Sequence, residues 1–265
     1  LGDVEGSGAV QPMSDVRLLL FDAAGQAIAE TLTSDAGEYR FDDLWPGVYA
    51  VAEVVPAGVF AGKAQVGFVA DIEMGYEDSA TLLSGIELVG GDQGSNYDFV
   101  NLAPVTLSGY VFQDGQRIVL DETQVSADIR LASDGLRTPD DQAIPGVVIE
   151  LLAGSSGAAV LGQDLLPAYF ADGPVVVTSA TDGFYQFAGL PPGRYMLQET
   201  QPAGWIDGHD RVGTAGGTQR ENSQSVSSTF IAGADSDRIS EIDLKPGQDA
   251  REYNFSELKV QTIPA

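Results

Sequence analysis

The chain of 265 residues has no cysteine, one histidine and three methionines. Without cysteine, neither disulfides nor thiol chemistry contributes. The compartment stays open on that count, because exported proteins can also do without disulfides. Catalytic zinc usually takes several His or Cys ligands, and nucleophilic hydrolysis needs a nucleophile beside a base. One histidine, His209, and no cysteine nearly exclude both. No run of about 18 apolar residues occurs, so no helical membrane insertion is expected. The opening Leu1-Gly2-Asp3-Val4 lacks a basic flank and an apolar stretch, so it is not a signal peptide. It reads as the inside of a first strand, which suggests a piece of something longer. Basic residues are scarce: 13 Lys and Arg stand against 39 Asp and Glu, for a net charge of −26. Both halves share the excess, with 17 acids against 3 bases in residues 1–104 and 22 against 10 in 105–265. Such a chain repels nucleic acid and anionic lipid, and neither is expected as a partner. The acids either keep a surface soluble or, in part, surround a divalent cation that offsets their repulsion.

What the chain does contain is one pattern written twice. Gly37-x-Tyr39-x-Phe41-x-x-Leu44-x-Pro46-Gly47-x-Tyr49 returns as Gly183-x-Tyr185-x-Phe187-x-x-Leu190-x-Pro192-Gly193-x-Tyr195, at a constant offset of 146. Glu53-x-x-Pro56-Ala57-Gly58 returns as Glu199-x-x-Pro202-Ala203-Gly204. A repeat of this kind marks a self-contained supersecondary unit. Apolar residues alternate with period two, as in Val147, Ile149 and Leu151, or Tyr185 and Phe187, which is the mark of half-buried strands. The 32 Gly and 13 Pro punctuate the chain too often for long helices. The expected fold is all-β: two tandem Greek-key β-sandwich domains, residues 1–104 and 105–265, with the stripe aromatics in their cores.

Outside the central block the offset changes. It is 107 at Gly2/Gly109, 131 at Val16/Val147, 146 through the block and 156 at Tyr97/Tyr253. The second copy therefore carries insertions of 24, 15 and 10 residues. Loop length costs little stability, and loops are where function is added to a sandwich. The link Asn101-Leu102-Ala103-Pro104-Val105-Thr106 is short, so neighbouring modules are expected end to end. The closing Glu257-Leu258-Lys259-Val260-Gln261-Thr262 repeats that link, and a further module in phase is expected after it.

These residues resemble the B-type modules of Gram-positive surface adhesins, most closely the SdrD B-like module, related to the Cna B-type domain. Asp207-Gly208-His209-Asp210-Arg211-Val212-Gly213 and Tyr253-Asn254-Phe255 extend the resemblance through the second copy. It implies a prealbumin-like sandwich used as a stalk or spacer. Cna-type modules often carry a Lys–Asn isopeptide crosslink promoted by a glutamate that Glu53 and Glu199 resemble. Leu107 to Phe112 contains no lysine, and Lys63 follows the Pro-Ala-Gly turn, so no crosslink is expected. The two glutamates then read as polar strand residues near a turn. The resemblance also implies calcium between the end of strand one and the loop before strand two. Phe112-Gln113-Asp114 matches the aromatic-x-Asp that opens that site, and Ser133 to Val147 matches the rest, with Thr138 where an acid is expected and a longer loop from Gly115 to Ala132.

The residues themselves argue for the same place. Calcium takes six to eight oxygens, and a Gly beside an Asp allows the bend that turns a carbonyl inward. Asp134-Gly135, the Leu136 carbonyl and Asp140/Asp141 have that spacing, with Asp114 joining from across the insertion. Seven acids lie between 114 and 141 (Asp121, Glu122 and Asp128 complete them), and Arg130 and Arg137 could instead neutralise two. Copy one has Glu5-Gly6-Ser7-Gly8 at the equivalent position, so no matching site is expected there. Asp207-Gly208-His209-Asp210 reads as a loop bend beside Trp205. Gly213 to Gly217 lacks the lysine of a phosphate loop.

The expected function is that of a non-enzymatic, extracellular structural or adhesive spacer on a bacterial surface, its second module stiffened by calcium. Its partners would be neighbouring modules or copies of itself in an array or filament. The alternative is a module that binds carbohydrate or protein through the long loops of copy two, with Tyr169, Phe170 and Trp205 as contacts. A two-carboxylate glycosidase would need a buried acid pair, and none stands out in the sequence.

Overall fold

The computed structural model describes residues 11–116, 118–121, 134–166, 170–220 and 237–263. Glu5 to Gly8, Glu122, Asp128, Arg130, Ser133 and Tyr169 lie outside them. The described residues are strands and turns, with one short 3₁₀ turn at Gly162–Asp164. The chain divides into two compact units, Leu1–Ala103 and Pro104–Ala265.

Unit one holds β1 (Arg17–Phe21), β2 (Ala27–Leu32), β3 (Gly47–Val54), β4 (Phe60–Gln65), β5 (Phe68–Val69), β6 (Ile72–Glu73), β7 (Tyr76–Ser79), β8 (Leu82–Leu88), β9 (Gly94–Ser95) and β10 (Asp98–Leu102). Its main sheet runs β2-β1-β3-β8-β7, antiparallel throughout, and β10 pairs with β4. Along β3, Tyr49, Val51 and Glu53 are buried and alternate with more exposed neighbours. Tyr49 and Val51 join Leu18, Leu20, Leu83 and Ile86 in one core, on which Tyr39, Phe41 and Phe99 pack.

Unit two holds β11 (Val105–Gln113), β12 (Ile118–Asp121), β13 (Gln142–Ala143), β14 (Val148–Ala153), β15 (Val176–Thr178), β16 (Phe184–Leu190), β17 (Gly193–Glu199), β18 (Ile206–Asp207), β19 (Thr218–Arg220), β20 (Arg238–Leu244), β21 (Asp249–Ala250), β22 (Phe255–Leu258) and β23 (Val260–Ile263). One sheet runs β15-β14-β17-β20-β19. The other runs β13-β11-β22-β18, with β16 and β21 also paired to β11. A single core joins Leu107, Tyr185, Phe187 and Phe255 of the second sheet to Ile149, Leu151, Leu197 and Ile242 of the first. The period-two pattern follows from this placement, since each strand shows one face to the other sheet.

The repeated residues make repeated bonds. Tyr39 donates its hydroxyl to the Tyr97 carbonyl at 2.6 Å, and Tyr185 donates to Tyr253 at 2.5 Å. Tyr49 donates to the Trp45 carbonyl four residues back, as Tyr195 does to Pro191. Gly37 and Gly183 both turn the chain at positive φ, +75° and +79°, where a side chain is strained. Burial raises the Tyr185 hydroxyl pKa well above its ordinary value, and the nearby acids Glu199 and Asp210 add to the shift. Tyr185→Phe should lower the unfolding free energy of unit two by about 1–3 kcal/mol, because the buried Tyr253 carbonyl loses its donor. Urea unfolding followed by Trp205 fluorescence checks this, and an unchanged midpoint would refute it.

Candidate functional site

The five residues expected to hold calcium occupy the start of unit two. Asp114 follows β11 and is buried, whereas Asp134, Leu136 and Asp140 are exposed. Asp114 Oδ2 accepts the Asp134 and Gly135 amides at 2.9 and 2.8 Å, which draws the two sides of the insertion together. Asp141 Oδ1 accepts the Gly115 amide at 2.8 Å, and its other oxygen accepts the Thr138 amide. Asp134 Oδ1 accepts the Leu136 amide at 2.8 Å. The Thr138 hydroxyl hydrogen-bonds Asp140 and holds its carboxyl below the ordinary value. Arg137 lies over the Tyr110 ring, 4.0 Å from its centroid. The acids thus organise the loop backbone.

The closest gathering of carboxylates is elsewhere in unit two. Among the described residues, two trios place one oxygen from each member within 4.8 Å of one another. They are Glu199, Asp237 and Glu257, and Asp207, Asp210 and Asp237, which share Asp237. Relative exposures are 0% for Glu199 and Glu257, 6% for Asp207, 2% for Asp210 and 1% for Asp237. Glu199 ends β17 in phase with Tyr195 and Leu197, and so points inward as they do. Asp237 precedes β20, and its carbonyl accepts the Glu199 amide at 2.9 Å. From the other sheet, Asp207 of β18 lies opposite Glu257 of β22, and Glu257 is in phase with the core residue Phe255. The two sheets therefore close one end of the core with facing acids instead of apolar groups.

The electrostatics follow from that burial. Burial first, then Glu257, Asp237 and Asp207, raise the Glu199 pKa well above the usual carboxylate range. Burial and the neighbouring acids do the same for Asp210, against a weak Ser256 amide bond. Burial raises Glu257 as well, opposed by the Gln201 amide that donates to it. No lysine or arginine is among the described charges acting on these three. Lys245 and Arg251 form exposed ion pairs with Asp243 and Asp249, and Lys259 donates to the Gly204 carbonyl above the Trp205 ring. Glu199 is within hydrogen-bonding reach of the Glu257 carboxyl, an acid like itself, and no amide, hydroxyl or basic group donates to either Glu199 oxygen, to Asp210 Oδ2 or to Glu257 Oε1.

Unit one shows the same frame without the charge. Glu53 matches Glu199, and its amide donates to the Thr81 carbonyl at 2.9 Å, as Glu199 donates to Asp237. Ala61 of β4 lies opposite Asn101 of β10, as Asp207 lies opposite Glu257. Ala64 falls where Asp210 does, at the offset of 146. Asn101 donates its side-chain amide to Glu53, which answers one of its oxygens. The second copy thus replaces Ala61, Ala64, Thr81 and Asn101 by Asp207, Asp210, Asp237 and Glu257.

Four expectations change. Glu53 and Glu199 are buried in-facing groups, not turn-edge polar residues, because each continues its strand's inward stripe. Asp207-Gly208-His209-Asp210 is not merely a bend: both aspartates are buried, while His209 is exposed. Buried acid neighbours that the sequence did not single out are present. Phe170 and Trp205 are partly buried against the core and do not form a free aromatic face.

Residues 4–99 match the family model of the SdrD B-like domain. The first unit is similar to that domain. The match lies in the first copy, whereas the sequence placed the fuller resemblance in the second. The chain is 27% identical over 246 residues to serine-aspartate repeat-containing protein D of Staphylococcus aureus (strain Newman), covering 91% of this chain and 16% of that protein. It is 25% identical over 194 residues to serine-aspartate repeat-containing protein F of Staphylococcus epidermidis, covering 72% and 9%. Colossin-B of Dictyostelium discoideum is 23% identical over 212 residues, covering 71% and 5%. The chain thus spans a small fraction of these relatives. Among solved structures, the Streptococcal ancillary pilin matches at 21% identity and TM-score 0.32, covering 73% of this chain and 51% of that one. The shaft pilin spaA from Lactobacillus rhamnosus GG matches at 11% identity and TM-score 0.32, covering 96% and 91%.

Proposed function

We propose that the chain is an extracellular structural or adhesive spacer segment of a larger bacterial surface or secreted protein. It is built of two tandem Greek-key sandwich modules, the second enlarged by loop insertions, and it performs no chemistry on a substrate. The observation that carries this reading is the SdrD B-like match over residues 4–99, repeated as a hydrogen-bonded frame in the second unit. Modules of this kind act by stacking, so the partners are neighbouring modules or further copies in an array or filament. Calcium at Asp114, Asp134, Leu136, Asp140 and Asp141 stiffens the second module by joining the strand end to the loop. Carbohydrate or protein capture is the weaker reading, since Phe170 and Trp205 are engaged by the core.

The test is small-angle scattering of the chain in calcium and in chelator, with Asp134→Ala beside it. A radius of gyration that grows in chelator, and is equally large in calcium once Asp134 is removed, is the expected result. A scattering profile unaffected by calcium in both proteins would remove the loop site from this reading.

A further inference from the structure

We propose that the five buried carboxylates Glu199, Asp207, Asp210, Asp237 and Glu257 form a second calcium site, set between the facing ends of the two sheets of unit two. It shares no residue with the loop around Asp114 and does not rest on that reading.

The first ground is the arrangement. Two trios meet at Asp237, drawn from β17, β18, β22 and the residues flanking β18 and β20, so that folding brings together acids from four separate segments. The second ground is Glu199. It is fully buried and faces this space, and the group within hydrogen-bonding reach of it is another carboxyl, that of Glu257; beside it the buried Asp210 Oδ2 meets no donor. A buried charged group without a partner is destabilising unless it is neutralised or finds a counter-ion. The third ground is the first unit, which serves as an internal control. There the same glutamate is answered by the Asn101 amide, and alanines and a threonine take the places of the other acids. Removing that amide donor while adding four carboxylates would be costly for a site meant to stay empty. It is the change expected of a site meant to hold a cation.

The donor set selects the metal. All the candidate ligands are carboxylate oxygens, with no imidazole or thiolate among them, which disfavours zinc and copper. Magnesium keeps most of its water and takes one or two carboxylates, whereas calcium accepts six to eight oxygens from such a set. Asp237, common to both trios, is the residue placed to bridge. Each sheet supplies ligands, so a bound ion would fasten the two sheets at the end where apolar packing stops.

The experiment uses the whole chain, freed of metal with a chelator and titrated with calcium chloride. Binding heat and thermal unfolding by Trp205 fluorescence are the readouts. The chain with Asp134→Ala and Asp141→Ala isolates the buried site from the loop. It should keep a calcium-dependent rise in unfolding temperature of about 5–10 °C at free calcium a hundredfold above Kd. Adding Asp207→Ala, Asp210→Ala, Asp237→Thr and Glu257→Asn, the residues unit one uses, should abolish the remaining heat and the temperature rise. The added substitutions should leave unfolding in chelator unchanged or at higher temperature. Should that variant misfold, Glu257→Asn alone should weaken calcium binding by about tenfold or more, since affinity follows ligand charge. Absence of any calcium effect in the loop variant, or its survival after the buried acids are replaced, overturns the proposal. Equal binding by the wild type and the loop variant assigns all calcium to the buried acids and removes the loop site from the function proposed above.

Discussion

In chelator, unit two is expected to lose stability as pH rises from about 4 towards 7. The direction follows from the three raised carboxyls. Their unfolded values lie near the ordinary 4.5 for Glu199 and Glu257 and 3.8 for Asp210, and all three are higher in the folded unit. Between the two values the folded unit therefore binds more protons than the unfolded chain. Stability is then highest below the unfolded values and falls as pH climbs through the window above them. Each proton held by the folded unit alone contributes a slope on the order of 1 kcal/mol per pH unit. Small domains are stable by only about 5–15 kcal/mol, so two pH units are enough to matter. Urea midpoints read by Trp205 fluorescence at several pH values provide the measurement. Trp45 is 84% exposed and contributes little to the change. Saturating calcium should reverse the trend, because metal binding requires the deprotonated acids. A midpoint in chelator that rises between pH 4 and 7 would mean that these acids are ionised in the folded unit, contrary to the burial they show.

How much of this was legible in the sequence depends on which force places each residue. Strands and core follow from alternation, which is local: Tyr185, Phe187 and Leu197 are buried where their stripes put them. Tyr39 and Phe41 pack on the core as their repeat predicts. The buried acids were hidden for a different reason. Glu199, Asp207, Asp237 and Glu257 sit in segments that look like ordinary strand ends and turns, and only the sheet pairing brings them together. A signal was nonetheless present. Placing the two copies side by side sets Ala61, Ala64, Thr81 and Asn101 against four acids, and converting small or neutral residues to charge at in-facing positions is not what a solvated surface requires. The insertion after β11 is the stronger local signal, because its extra length alone marks added function.

The same frame predicts a position that tolerates no side chain. Gly109→Ala should abolish the folded state of unit two. A methyl group there would sit 1.7 Å from the Tyr253 carbonyl oxygen and 2.9 Å from the Tyr185 hydroxyl. Those two groups hydrogen-bond each other, and the Tyr253 amide donates to the Ser108 carbonyl at 3.2 Å, so the backbone in question is held on both sides. Neither neighbour is the free end of a flexible side chain, and relief means separating β11 from the segment that leads into β22. That separation would undo the pairing of Val111, Phe112 and Gln113 with Phe255, Ser256 and Glu257. It would also shift the buried acids, since Glu257 belongs to the displaced strand. Single substitutions that cost more than about 4 kcal/mol are rare and come from clashes of this kind. The expected observation is loss of the cooperative Trp205 transition with part of the strand circular dichroism retained, because unit one has a core of its own. A variant with the wild-type transition would show that the two backbones are not in contact at Gly109, and with that the placement of Glu257 in the acid cluster would lose its support.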